Sequence, residues 1–275
     1  MSASAGAAGL LAAPPLPASA GAIPELVLPA LLVRGRDLPW PEIVSVYVPG
    51  RPTVAFSARD LRSPGISEAS RVAVDAGFAV VVRSTGGRMV AYDSGAVVID
   101  HVSRDTQRVR DVRERFAGAA ARHVQLLGTL GATGARAGEV DGEYCPGEFS
   151  INIDGRAKVV GAAQRVTGSG SLFSTVVQVS VTVAVRDVIV HVSRALGYPL
   201  RESSIAGLDD FVPGLTPAQV AAAFEADHRS RDGVEPGQLP PWVQAHALGA
   251  RRDPGTQQPF HVDDWARAHP LRPPK

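Results

Sequence analysis

Cysteine occurs once in this 275-residue sequence, as Cys145, and lysine twice, as Lys158 and Lys275. A lone thiol has no partner for an internal disulfide, which points to a reducing compartment, the cytoplasm by default, and leaves one thiol to account for. Neither sign of charge is in excess. With 28 basic and 27 acidic residues the formal net charge is +1, so no nucleic acid or other polyanion is expected as a partner. Apolar runs fall short of the roughly 20 residues a membrane helix needs. The opening stretch MSASAGAAGLLAAPPLPASAGAIPEL has no Lys or Arg ahead of an apolar core and makes a poor signal peptide. GxSxG, P-loop and GxGxxG motifs are missing, which argues against serine hydrolases, P-loop NTPases and ordinary dinucleotide binders. His101, His123, His191 and His228 are scattered without metal-ligand spacing, and no metal site is expected.

What is present is enough for a real core, since hydrophobic residues make up 45% of the chain. Residues 1–24 are Ala, Ser, Gly and Pro with few large side chains and read as a flexible leader. Residues 231–275 contain PGQLPPW, DPGTQQP and PLRPPK, too densely punctuated for long elements, and read as a Pro-rich tail. Between them, residues 25–230 alternate strand and helix signals. EIVSVYV (42–48) and PTVAFS (52–57) read as a hairpin or strand pair across Pro49-Gly50. A helix over 67–76 with a Ser N-cap is followed by a strand over 78–83, a glycine loop over 84–88, and strands over 89–92 and 96–102. Apolar residues recur every three or four positions from Thr106 to Leu130, the period of one helix face. Two short strands flank Asp154-Gly155. Valine on alternate positions over 177–186 predicts another strand, followed by a helix capped by Asp187, and Thr216-Pro217-Ala218-Gln219 is a capping box. The fold class is α/β (α+β), with a mixed, largely antiparallel sheet flanked by helices.

Three places carry chemistry. In Arg83-Ser84-Thr85-Gly86-Gly87-Arg88, two glycines expose backbone N–H groups to which an anionic or carbonyl-bearing ligand can come close. The commoner outcome for a lone Gly-Gly is a plain hairpin turn. Cys145 lies in a Tyr-Cys-Pro-Gly turn, where a thiolate could act as a nucleophile; a buried structural cysteine is the alternative. Lys158 sits in an apolar strand-like run, where a desolvated amine could bind a carbonyl or anion or support deprotonation of a nearby thiol, or could snorkel to water. Its rarity favours function, because elsewhere this sequence uses Arg. His101, at a strand end, could point into a pocket or be an ordinary strand-end residue.

Taken in order, VYVPGRPTVAFSARD (46–60), GFAVVVRSTGGRMVAYDSGAVVIDHV (77–102) and GEYCPGEFSINIDGRAKVVGAAQR (142–165) resemble the lipoate-protein ligase and octanoyltransferase superfamily, which shares its fold with biotin-protein ligase. The resemblance implies a biotin/lipoate protein ligase-like catalytic domain over 25–230. It also implies an acyl pocket opened by Arg83, Gly86 and Gly87, and a lysine motif formed by Lys158, Gly161, Ala162 and Ala163. His101 is taken as a further substrate-binding residue. YCPG resembles the cysteine-bearing branch, so the resemblance implies that Cys145 carries the acyl group as a thioester while Lys158 lowers its pKa and stabilises the oxyanion.

The implied partners are an octanoyl- or lipoyl-carrying protein donor and a lipoyl-domain acceptor. No cofactor is required on that reading. Were the protein instead an ATP-dependent ligase, ATP and Mg would be needed and Lys158 would contact the acyl-adenylate; a non-catalytic acyl-binding homologue is the third possibility. TGGR lacks the third glycine usual in the ligases, and Val98 stands where the family often has asparagine. Both departures bear on adenylate binding more than on acyl binding.

Overall fold

The computed structural model describes residues 9–12, 15–17, 19–35, 37–104, 111–252 and 259–273. Among these, the strands form two sheets. The larger is built from β1 (Gly9–Ala12), β2 (Glu42–Tyr47), β6 (Ala96–Ser103), β7 (Ala135–Ala137), β8 (Ile151–Ile153), β9 (Ala157–Thr167), β10 (Gly170–Gln178) and β11 (Val234–Gly237), in the order β11-β1-β2-β6-β10-β9-β8-β7. The smaller takes β3 (Thr53–Phe56), β4 (Ala79–Val82), β5 (Val90–Tyr92) and β12 (Phe260–His261), in the order β12-β4-β3-β5. In the larger sheet β1 runs parallel to both neighbours and the other pairs are antiparallel. The sheet is therefore mixed and largely antiparallel, as the valine alternation suggested.

Side chains on successive strand residues point to opposite faces, and each face of the large sheet is covered. Leu11, Val44, Val97, Ile99 and Val177 pack with Leu127 of α3 (Val112–Thr129) and Phe224 of α5 (Pro217–Asp232). On the other face Ile43, Val102 and Leu172 meet α1 (Ala22–Arg34), α6 (Pro241–Leu248) and α7 (Val262–Ala268), while Val98 and Val176 meet the small sheet. α2 (Ile66–Asp75) and α4 (Val183–Ala195) close the outside of the small sheet.

Several expectations are corrected. The leader is not featureless: Leu10, Leu11 and Ala12 are buried in a strand held between β2 and β11, and Ala22 already belongs to α1. Residues 231–275 are not merely irregular, because β11, α6, β12 and α7 fall within them. Asp263 of α7 accepts from Ser84 Oγ at 3.0 Å and from Arg34 Nη2 at 2.8 Å, with Arg165 3.5 Å away, so this segment buttresses the glycine loop. β2 and β3 do not form a hairpin; after Pro49-Gly50 the chain passes from the large sheet to the small one. Of the valine run only Val177 and Gln178 lie in a strand, residues 179–182 connect, and 183–186 are helical. Thr182, not Asp187, caps α4, its hydroxyl accepting from Val185 N–H, and Val185, Val188, Ile189 and Val192 form the buried stripe. Valine at odd positions fits period 2 through Val179, but Val183 is 76% exposed because there the chain is already helical. Gly65 rather than Ser67 precedes α2. α3 begins after Asp111, whose carboxylate accepts from Glu114 N–H; the helix expected from Thr106 onward lies outside the described residues up to 110. The capping box at Thr216 and Gln219 is formed as expected.

Candidate functional site

The Cys145 segment is an irregular loop between β7 and β8 rather than a strand end, and Cys145 has φ 49°, a left-handed conformation that a side chain adopts only under constraint. The constraint comes from below. Lys158, on β9, is 3% exposed and spends its Nζ donors on Cys145 O at 2.6 Å, Glu143 Oε1 at 3.1 Å and Tyr144 O at 3.3 Å. Three acceptors match the three N–H groups of an ammonium. Glu143 is itself buried; its Oε1 accepts from Ser150 Oγ at 2.6 Å and its Oε2 from Val140 N–H at 2.8 Å. A buried ion pair needs such hydrogen bonds to offset its desolvation. The lysine thus grips the main chain of the cysteine, while the sulfur is touched from elsewhere.

That contact comes from the glycine loop. Arg83 Nη2 donates to Gly86 O at 2.6 Å and Arg88 O at 2.8 Å, and Ser57 Oγ donates to Gly87 O at 2.7 Å. With its carbonyls held, the loop turns the Arg88 N–H toward Cys145 Sγ, 3.1 Å away. Gly87 has φ 95°, and a Cβ there would lie 3.0 Å from both Arg83 Nη2 and Cys145 Sγ, so glycine is required on two counts. A Cβ on Gly86 would meet nothing within 4 Å. A Cβ on Gly161 would stand 3.2 Å from Lys158 Cε, which explains a small residue three positions after the lysine. Behind the loop, Asp60 accepts from Ser57 N–H and from the Tyr198 hydroxyl, each at 2.7 Å, and the Arg88 guanidinium lies 4.5 Å over the Tyr198 ring.

Arg83, Gly86, Gly87, Cys145 and Lys158 all line one cavity of about 340 Å³, as do Gly161, Ala162 and Ala163. Its remaining walls are largely apolar, with Val90, Val176, Phe116 and Phe149 prominent. Size and lining are those of a pocket for a small apolar ligand with a few polar anchors. Tyr144 adds a phenol whose pKa is raised by burial, so it stays neutral. Strand residues 78–83 give the cavity only Arg83. Val98 and Asp100 instead line an adjoining chamber of about 20 Å³, which shares Arg83, Val90, Ser174 and Val176 with the cavity and has room for about one water. Burial raises the Asp100 carboxyl from 3.8 to about 6, against the lowering effect of hydrogen bonds from Ser174 and Tyr47.

His101 is the predicted residue that does not join the site. It alternates with Asp100, so it faces the other side of the sheet, with Nε2 2.7 Å from Glu42 Oε2 and its ring against His228. Glu143, Ser57 and Asp60 carry no motif of their own in the sequence and were missed. Gln164 was missed too: it lines the cavity, and both its Oε1 and Nε2 are buried without a partner among the described residues. Its place directly after Gly161-Ala162-Ala163 was the available signal. Among the described residues no three His, Cys, Asp or Glu side chains are grouped to hold a metal, and no helix is long and apolar enough to cross a membrane.

Residues 65–229 match the lipoyl protein ligase A/B catalytic domain. The chain belongs to this family. Among individual relatives of the lipoyl protein ligase A/B family, it is 34% identical over 118 residues to an octanoyl-[GcvH]:protein N-octanoyltransferase of Geobacillus kaustophilus, covering 43% of this chain and 41% of the relative. It is 27% identical over 118 residues to a lipoyl-[GcvH]:protein N-lipoyltransferase of Listeria monocytogenes, covering 43% and 42%. The matched segment thus spans less than half of either relative. In fold, the chain superposes with a TM-score of 0.63 and 17% identity on the bipartite lipoate protein ligase of Thermoplasma acidophilum, solved in a study of that ligase and its E2 lipoyl domain; 88% of this chain and 91% of the other are covered.

Proposed function

We propose that this protein transfers an octanoyl or lipoyl group to a lysine of a lipoyl-domain acceptor through a thioester on Cys145, in the cytoplasm and without ATP. The observation that carries this reading is the position of the sulfur, in the wall of an apolar cavity with a backbone N–H 3.1 Å away. The names of the Geobacillus and Listeria relatives suggest the donor, an acyl-lysine of a GcvH protein; a carrier thioester is the other donor with the same carbonyl chemistry.

In the first step the Cys145 sulfur attacks the donor carbonyl, the C–N or C–S bond breaks, and the thiol proton leaves with the donor amine or thiol. In the second the acceptor lysine attacks the thioester, an amide forms, and the proton from the amine returns to the sulfur. With a GcvH donor an amide is consumed and an amide is made, so the exchange is close to balanced and needs no activation by a nucleotide. Seven buried methylene or methyl groups of an octanoyl chain, at about 0.8 kcal/mol each, supply about 6 kcal/mol of binding. The Arg88 N–H is the donor available to the developing oxyanion. Lys158 acts by fixing the Cys145 backbone, and Gln164 offers its amide to the acyl carbonyl.

Intact-mass spectrometry after incubation with octanoylated GcvH tests this. One octanoyl group should add to the parent and none to Cys145→Ser. Absence of the adduct, together with lipoylation that depends on ATP, would sink the mechanism in favour of an adenylate-forming ligase.

A further inference from the structure

β9 is 11 residues long, but β8 pairs with it only through Ala157, Lys158 and Val160. On that side no strand pairs with residues 161–167 among the described residues, whereas β10 accompanies β9 on the other side as far as Thr167. Residues 145–150, which precede β8, are irregular, and with 161–164 they border the acyl cavity.

An open strand edge invites another strand, and proteins ordinarily blunt such edges by shortness, proline or charge. The outer strands here are blunted: β7 has three residues, β11 four with Pro236 among them, β5 three and β12 two. The open part of β9 reads GAAQRVT, longer than any of these and without proline; its one charge, Arg165, stands 3.5 Å from Asp263. Gly168-Ser169 is a two-residue hairpin loop, which makes Thr167 and Gly170 the closing hydrogen-bonded pair of β9 and β10. Bonding alternates from there, so Gln164 and Val166 turn their main-chain N–H and C=O groups away from β10, to the open edge. Apolar contact surface lies alongside: Val166 is 48% exposed, and Val112, at the cavity wall, 47%.

We propose that this edge docks the acceptor protein: an extended segment carrying the acceptor lysine adds beside residues 164–167 as a further strand, and the four-carbon stem of the lysine reaches from it into the cavity toward Cys145. The inference deepens the acyl-transfer reading and rests on it for what the segment delivers. Continuity with the cavity selects this occupant. Residues 161–164 share a wall with Cys145 and 165–167 carry β9 beyond it, so a chain laid along 164–167 passes where the attacking amine is needed. Main-chain hydrogen bonds hold such a strand in register, and Val112 and Val166 supply apolar contact at its flank.

The test separates docking from chemistry. The full chain is loaded on Cys145 with the small thioester octanoyl-N-acetylcysteamine, then mixed with either a lipoyl-domain protein or Nα-acetyl-lysine methylamide, and transfer is read by intact mass. Val166→Pro removes an edge N–H without touching the ladder to β10. It should slow transfer to the lipoyl domain roughly tenfold, the loss of one hydrogen bond and of the fit around it, while loading and transfer to the small amine match the parent. Val166→Thr keeps the N–H and should match the parent throughout. In the parent chain, amide hydrogen exchange at Gln164 and Val166 should slow on addition of the lipoyl domain and not of the small amine. Equal transfer to the lipoyl domain by parent and Val166→Pro, or exchange unchanged at both amides, overturns the proposal. Exchange that slows with the concentration of this chain alone assigns the edge to a second copy and overturns it too. Failure of Cys145 to load sinks the acyl-enzyme mechanism instead, and the exchange measurement still decides the docking.

Discussion

Replacing Asp100 by asparagine should stabilise the protein at neutral pH and do little in acid. Asp100 is 4% exposed, and its carboxyl titrates at about 6 instead of 3.8 because burial penalises the anion. Ionising it in the folded state therefore costs roughly 3 kcal/mol more than in the unfolded chain. Below pH 3.8 the group is protonated in both states and costs nothing. As pH rises from 3.8 to about 6 the unfolded state releases its proton first, so stability is lost through that window and stays lost above it.

Asparagine cannot ionise, keeps an oxygen to accept from the Tyr47 hydroxyl 3.3 Å away, and must find an acceptor for its amide, so the gain falls somewhat short of the full figure. Urea unfolding of both proteins should give a difference under about 1 kcal/mol at pH 4, growing to about 2 kcal/mol at pH 8, or several degrees in Tm. Because all other titrating groups are common to the pair, they cancel to first order. A difference that does not change with pH, or that favours the parent more at pH 8 than at pH 4, would refute the reasoning.

Gly87→Ala places a Cβ 3.0 Å from Cys145 Sγ at φ 95°. It should lower stability by about 1–2 kcal/mol from the backbone alone, and should slow single-turnover acylation at least ~10-fold by displacing the Arg88 N–H. Lys158→Met leaves the buried Glu143 carboxylate without its cation and should cost about 3–5 kcal/mol in urea unfolding. Adding Glu143→Gln should recover much of that stability, and a strictly additive double mutant would show that the pair is not coupled. Gln164→Leu should raise KM for the acyl donor about fivefold, the loss of one neutral hydrogen bond, without lowering Tm, since its amide has no partner to lose; an unchanged KM removes Gln164 from the substrate contacts.

The central part of the fold was readable because local signals there agree with the tertiary structure. Gly77 and Gly87 take positive φ where the glycine positions suggested breaks, and the Asp154-Gly155 turn reverses the chain between β8 and β9 with both residues at positive φ. The ends were not readable, because GLLA becomes a strand by pairing with β2 more than 30 positions on and with β11 more than 200 positions on, contacts no local pattern encodes. His101 was expected among the substrate-binding residues, but its parity with Ile99 puts it on the other face of the sheet. Cys145 and Lys158 stood out in the sequence by rarity, but spacing alone could not show that the amine reaches the Cys145 carbonyl and the sulfur a loop N–H. Glu143 and Asp60 escaped notice because an acidic residue in a loop is ordinarily a solvated one, and burial is a property of the finished fold.

The parallel pairing of β1 with β11 also has a kinetic consequence. The strand at 9–12 leaves a ribosome more than 200 residues ahead of its partner at 234–237, so that ladder closes only after both strands and everything between them are made. The same delay reaches the glycine loop, because Ser84 waits for Asp263. A nascent chain would thus assemble the Cys145–Lys158 grip from residues 143–158 early, and complete the opposite wall of the pocket only when α7 docks.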